Sequence, residues 1–290
     1  MELALQIIAN GLITGSFYAL IAVGLAVIFG IMGVFNFAHG ELYMLGAYTM
    51  WLLYTLADWP FLAAAAIAVL VVGAIGILLE RGLFRPLREI PMNGLIASIG
   101  LLFILQVLVG QIWGIGLPKP VHPAYKGAVE FLGISGVTVG VQRFVVLPVA
   151  LGSLGLLWVF LQKTKMGRSL RAVAQDREVA ALQGMSINRT SAIAMGLGCA
   201  FAGLAGAFMA PVMEVYPYMG HSVILFAFVV LIVGGVGSLA GAAVAAFLMG
   251  IIYSVVATLL DGTTATIVGT LFMLAVLAIS PRGILGRGAA

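Results

Sequence analysis

The sequence predicts an all-α polytopic membrane protein with about eight to nine membrane segments, some of them broken or re-entrant. Three observations lead to this fold class. Of 290 residues, 63% are hydrophobic and only 8% charged, against about 25% charged in soluble domains. The mean hydropathy is +1.19. Finally, long charge-free runs alternate with short basic stretches. So few charges cannot build a water-facing surface, so lipid is the solvent for most of the chain. The 38 glycines and 10 prolines suit spanning helices, where neighbouring helices satisfy freed backbone groups. Residues 1–290 are expected to form a single transmembrane domain.

From Leu3 to Gly40 there is no Asp, Glu, Lys or Arg. About 20 apolar residues cross a core of about 30 Å, so this run is one span, Leu5–Gly30, plus a turn marked by Gly30, Gly33 and Asn36. No basic stretch precedes the run and no small-residue cleavage site closes it, so this span is expected to stay in the mature chain. A second segment covers His39–Ala57 and stops at Asp58, Trp59 and Pro60. A third covers Phe61–Leu79 and stops at Glu80 and Arg81. After the basic loop 80–93, a fourth covers Gly94–Trp113. Residues 114–143 form the longest polar break, with a short hairpin expected over Gly133–Val141. A fifth span covers Phe144–Leu161, followed by the highly charged loop 163–189. A sixth covers Thr190–Ala210. The last segments are Val223–Val233, too short to cross fully, then Leu239–Leu259 and Thr264–Ile279.

Loops 80–93 and 163–189, with the tail residues Arg282 and Arg287, hold eleven of the fourteen Lys and Arg residues. The positive-inside rule places them in the cytoplasm, with loop 114–143 and the N-terminus outside. The net charge of +4 is therefore read as a topology signal and not as a nucleic-acid surface. Cys199 is the only cysteine, so no intramolecular disulfide forms. It lies in an apolar run, as an inert buried thiol does.

Three motifs carry functional content. The first runs Phe35-Asn36-Phe37-Ala38-His39-Gly40-Glu41 and on to Tyr48. It puts Asn36, His39 and Glu41 within an otherwise apolar region. Polar groups at membrane depth face a cavity or a partner, and broken helices there expose backbone groups to substrates. The plainer reading of Glu41 is a carboxylate near a helix N-terminus, favoured by the macrodipole. A metal role for His39 lacks a second His or Cys nearby.

The second motif is the loop around Gly167–Gly184, read as two short amphipathic helices joined near Asp176 and stopped at Gly184. Leu170, Val173 and Ala174 are expected on one face, flanked by Arg168 and Arg171. Such a face docks in a groove of a soluble partner or lies on the membrane surface.

The third motif is Gly234–Gly241. Gly235-x-Gly237-x-x-Ala240 imitates a dinucleotide fingerprint, but that motif needs a βαβ setting, which this chain cannot supply. A glycine-broken, closely packed membrane segment is expected instead. GxxxG pairs occur at Gly237/Gly241 and Gly11/Gly15. No P-loop sequence is present, and no nucleophile–base pair or metal-ligand set is visible. An enzyme is therefore not expected, and neither is a cofactor.

On these motifs the sequence resembles the permease family of high-affinity branched-chain amino acid ABC transporters, in particular the shorter of its two permeases. The run Gly30–Tyr48 is similar to that family's N-terminal signature, and Gly167–Gly184 to its ATPase-coupling segment. Gly234–Gly241 and the ending Ser280–Gly286 also resemble family patterns. The resemblance implies a multi-pass protein of the bacterial inner membrane. Its implied partners are a second homologous permease, two cytoplasmic ABC ATPases and an extracytoplasmic substrate-binding protein, with membrane lipid around it and no nucleic acid. It implies Asn36, His39 and Glu41 as path residues. It implies Gly167, Arg168, Leu170, Arg171, Ala180, Ala181 and Gly184 as the ATPase-coupling set. Related systems carry urea, amides or small carboxylates. The rival readings are a proton-coupled carrier using Glu41 and an intramembrane enzyme using His39 and Glu41.

Overall fold

The structure is a computed structural model that describes residues 2–133 and 136–286. The tail residue Arg287 lies outside the described residues. Among them, seven helices are long and apolar enough to cross a membrane. These are α1 (Glu2–Met32), α3 (Phe61–Leu79), α4 (Pro91–Trp113), α5 (Val141–Lys163), α8 (Ile187–Met209), α10 (Leu239–Leu259) and α11 (Gly262–Ile279). One shorter apolar helix, α9 (Met219–Gly234), and the short helix α2 (His39–Met50) make up the expected eight to nine segments. Helix α2 continues into a π-helical stretch, Trp51–Leu56, and α3 into another, Glu80–Phe84.

Helices α1 and α8 form the centre, each 78% buried over its most apolar stretch, whereas α11 is only 11% buried. Small residues allow this density. At Gly11 and Gly15 an added Cβ would lie 2.8 Å from the α10 backbone at Ile251 and Phe247. The Gly11/Gly15 pair is thus a helix-contact face of the GxxxG kind. The pair Gly237/Gly241 is not. Gly237 sits in the α9–α10 turn at φ +86 with open space around it, so it supplies a backbone conformation and not a packing face.

Loop 114–143 contains a small antiparallel hairpin, β1 (Ala128–Glu130) with β2 (Thr138–Gly140), Val129 facing Val139. It starts earlier than the alternating stretch Gly133–Val141 suggested, because β1 lies before the turn. Gln6 near the start of α1 exchanges two hydrogen bonds with the Thr138 backbone, at 3.0 and 3.1 Å. The N-terminal end of α1 therefore shares a face with loop 114–143, as the charge distribution requires. On the opposite face the two basic loops meet. Glu80 is fully buried and accepts from Arg85 at 2.7 Å and Arg88 at 2.6 Å, and Arg88 also donates to Asn188 at 2.8 Å.

Candidate functional site

After α1 ends, Gly33 takes φ +67, a conformation that favours glycine. The chain then runs without regular structure to Phe37–Ala38 and enters α2, which packs mainly on α8. His39 ends up against Gly24, where an added Cβ would lie 3.3 Å from Nε2. This is the broken, re-entrant entry expected from the Gly30–Asn36 turn. Irregular backbone at membrane depth needs internal hydrogen-bond partners, and local side chains supply them. Asn36 Oδ1 accepts from the Ala38 N–H at 3.1 Å. Ser98 on α4 accepts from the Phe37 N–H at 3.1 Å, and its own hydroxyl faces the carbonyls of Leu95 at 2.7 Å and Phe35 at 3.3 Å.

Asn36, His39 and Glu41 are all fully buried, but they face different neighbours: Asn36 its own turn, His39 the α1 backbone at Gly24, and Glu41 α4. Glu41 Oε1 accepts from Gln106 of α4 at 2.9 Å, and Oε2 has no partner. The Ile21 carbonyl faces His39, but neither ring nitrogen makes a well-formed hydrogen bond. Ser98 and Gln106 were not singled out in the sequence. The available signal was weak: they are two of four polar side chains on α4, with Asn93 and Gln111, and stand roughly two turns apart. Among the described residues no group of three metal-ligating side chains occurs.

In front of this polar set lies an open-sided groove of about 980 Å³. One end is at Glu214 and Tyr216, beside Val215, which bridges to Lys119 of loop 114–143. Tyr18 and Phe226 line its middle, stacked with ring centres 4.0 Å apart, together with the hydroxyls of Ser222, Thr266 and Thr270. Its other end is at Phe35, Phe37, Phe228 and Ile232. Asn36, His39 and Glu41 do not line the groove, but their neighbours Phe35, Phe37 and Tyr43 do.

The charged loop 163–189 holds two helices, α6 (Lys165–Gln175) and α7 (Arg177–Leu182), with Asp176 between them. Thr164 caps α6 at the Gly167 N–H, and Asp176 caps α7 at two N–H groups, each at 2.9 Å. Gly184, at φ +80, stops the segment. The expected outward face is corrected. Leu170 and Val173 are buried against the permease itself and Ala174 is exposed. Gly167 packs on the Leu161 backbone, and Ala180 is buried as well. Arg168 and Ala181 are exposed and Arg171 is half-buried. The outward apolar surface is Val179, 49% exposed, and Leu182, 87% exposed. Arg177 reaches back to the Ile31 carbonyl at 3.4 Å, joining the segment to the end of α1. Burial, and then the nearby Arg88, lower the Arg177 pKa.

A family model described as branched-chain amino acid transport system / permease component matches residues 7–280. The chain is similar to the high-affinity branched-chain amino acid transport system permease protein LivH of Salmonella typhimurium. The two are 32% identical, over 98% of this chain and 96% of that one. It is equally similar to BraD of Pseudomonas aeruginosa, 32% identical over the same shares. A probable branched-chain amino acid transport permease of Methanocaldococcus jannaschii is 28% identical, over 97% of this chain and 92% of that one. No solved structure matches the chain significantly.

Proposed function

The chain belongs to the branched-chain amino acid transport system permease family, and on that premise we propose that it is the membrane permease of an ATP-driven importer of branched-chain amino acids. It is a multi-pass inner-membrane protein and a transport component. The groove carries the mechanistic reading. It runs from the outer loop to the cytoplasmic end, walled by aromatic rings and a few hydroxyls. Such a wall suits an aliphatic side chain, while sparse hydroxyls meet the substrate's polar end. A second, homologous permease closes the open side, and an extracytoplasmic binding protein delivers substrate at the Glu214 end.

In this reading residues 1–290 act as one transmembrane domain, and Asn36, His39 and Glu41 form the polar shell behind the aromatic wall. They belong to the path because they fix the broken segment that presents Phe35, Phe37 and Tyr43. Two cytoplasmic ABC ATPases drive the cycle and dock on α6–α7. Arg168, Val179, Ala181 and Leu182 make the contact. Gly167, Leu170 and Ala180 anchor the segment to the permease, Arg171 flanks it and Gly184 ends it.

The test is purification of the tagged chain from its native membrane. Co-purification of an ATPase, with ATP-dependent leucine uptake after reconstitution, is expected. Uptake by the isolated chain driven by a proton gradient would sink the reading in favour of a carrier. Uptake of urea or an amide in place of leucine would move the substrate class and keep the rest.

A further inference from the structure

The cytoplasmic end of the groove is built differently from its middle. Tyrosines and hydroxyl side chains occur along the upper part, whereas four phenylalanines converge at the end. Phe37 lies 4.6 Å from Phe228 between ring centres, Phe35 5.8 Å from Phe228, and Phe29 4.5 Å from Phe35. The rings come from three elements: α1, the irregular segment after it, and α9. Two of them, Phe35 and Phe37, stand on backbone with no helix to hold it. What holds that backbone is α4. Most of α4 is turned away from the core, with Ile96, Phe103, Ile104 and Val107 exposed. Its inner stripe follows the irregular segment and then α2 in register. Gly94 meets Val34, Ser98 bonds Phe37, Gln106 bonds Glu41 and Trp113 packs on Tyr48.

We propose that Phe35, Phe37 and Phe228 form the cytoplasmic constriction of the substrate path, and that Ser98 is the positioning residue that sets it. The proposal rests on the reading of the groove as the path. Closely spaced apolar rings exclude water and polar solutes when closed. Because Ser98 accepts the Phe37 N–H, a small shift of α4 or of the segment changes where that ring points. The last turns of α1 carry both Phe29, which packs on Phe35, and Ile31, whose carbonyl is reached by Arg177 of the coupling segment. Movement of α7 therefore has a direct contact by which to reach the end of α1, just before Phe35.

The experiment uses the complex purified from membranes and reconstituted in liposomes loaded with radiolabelled leucine. Loss of label without ATP is measured per assembled complex. Phe37→Ala and Phe228→Ala are each expected to raise this leak several-fold, and Phe37→Leu to raise it less. Ser98→Ala is expected to raise it too, and Ser98→Thr, which keeps the hydroxyl, to return it towards wild type. Phe103→Ala removes an exposed ring from the outer side of α4 and is expected to leave the leak unchanged. Wild-type leak in the ring variants would overturn the constriction. If the alanine variants fail to assemble, Phe37→Leu decides on the same criterion. The path is checked separately with Thr270→Cys in a Cys199→Ala chain. Leucine protection of this cysteine from a hydrophilic thiol reagent, with no leak in the ring variants, refutes the constriction alone. A Thr270→Cys chain that never reacts refutes the path and the constriction with it.

Discussion

Gln106 on α4 donates its side-chain amide to Glu41 Oε1 at 2.9 Å, with both residues buried. A peripheral helix thus holds the only carboxylate at the start of α2. Gln106→Leu removes the donor and leaves Glu41 with no hydrogen bond at either oxygen. An orphaned buried polar group costs about 1–3 kcal/mol, so thermal unfolding in detergent is expected to begin at lower temperature. The double variant Glu41→Leu/Gln106→Leu is expected to recover most of the loss. Additive losses in the double variant would show that the two side chains do not act as a pair.

Glu41→Gln separates charge from shape, because a glutamine oxygen still accepts from Gln106. Uptake per assembled complex is expected to fall, with ATPase association and basal hydrolysis retained. Unchanged uptake would leave Glu41 as a tether for α4 and remove its charge from translocation.

The coupling segment has a buried face and an exposed one. Leu182→Asp and Val179→Asp place a carboxylate on the exposed face, where desolvation opposes docking. Pull-down of the ATPase is expected to fail while the permease still folds. Leu170→Asp puts the charge among buried apolar groups, so loss of folded permease is expected before any question of docking. ATPase recovery by Leu182→Asp equal to wild type would dismiss α7 as the contact.

Sidedness is read with a membrane-impermeant thiol reagent on intact spheroplasts. The background is Cys199→Ala, since Cys199 is buried. Lys126→Cys in the outer loop is expected to react and Gln175→Cys is not. Both positions are exposed, so failure to react reports the membrane and not burial. The reverse pattern would invert the topology.

Asp261 caps α11. The Thr264 hydroxyl, then the Thr264 and Thr263 N–H groups, bond its carboxylate and hold its pKa below the ordinary range. A lowered folded pKa adds stability above the unfolded value of about 3.9, and that stability is lost as pH falls through the folded value. Asp261→Ala is expected to increase hydrogen exchange in the first turn of α11 at neutral pH. Wild type is expected to approach the variant only in acid, and Asp261→Asn to stay near wild type at neutral pH. Equal exchange in wild type and Asp261→Ala at neutral pH would dismiss the cap.

The spans were legible because their signal is local. A run such as Leu239–Leu259 must be a helix in lipid whatever surrounds it, since each backbone group needs a partner within the segment. Breaks at Gly33 and Gly184 were legible because each needs a positive φ. The direction of α6 was not legible. Its apolar stripe says that one face is covered, but not whether a partner or the permease itself covers it. Leu170 and Val173 turned out to face inward, and the outward surface fell to Leu182 on the next helix.

The sequence by itself determined the segments, the broken entry to α2 and the polar residues along it. Composition and short-range pattern govern all of these. Only the tertiary structure decided that Asn36, His39 and Glu41 lie behind the groove and that aromatic neighbours wall it. A helix in lipid can turn either of its faces inward at little difference in apolar burial. The choice is made by close fits such as Gly40 on Gly220 and by single hydrogen bonds such as Gln106 to Glu41. Those partners are far apart in the chain, so no local pattern announces them.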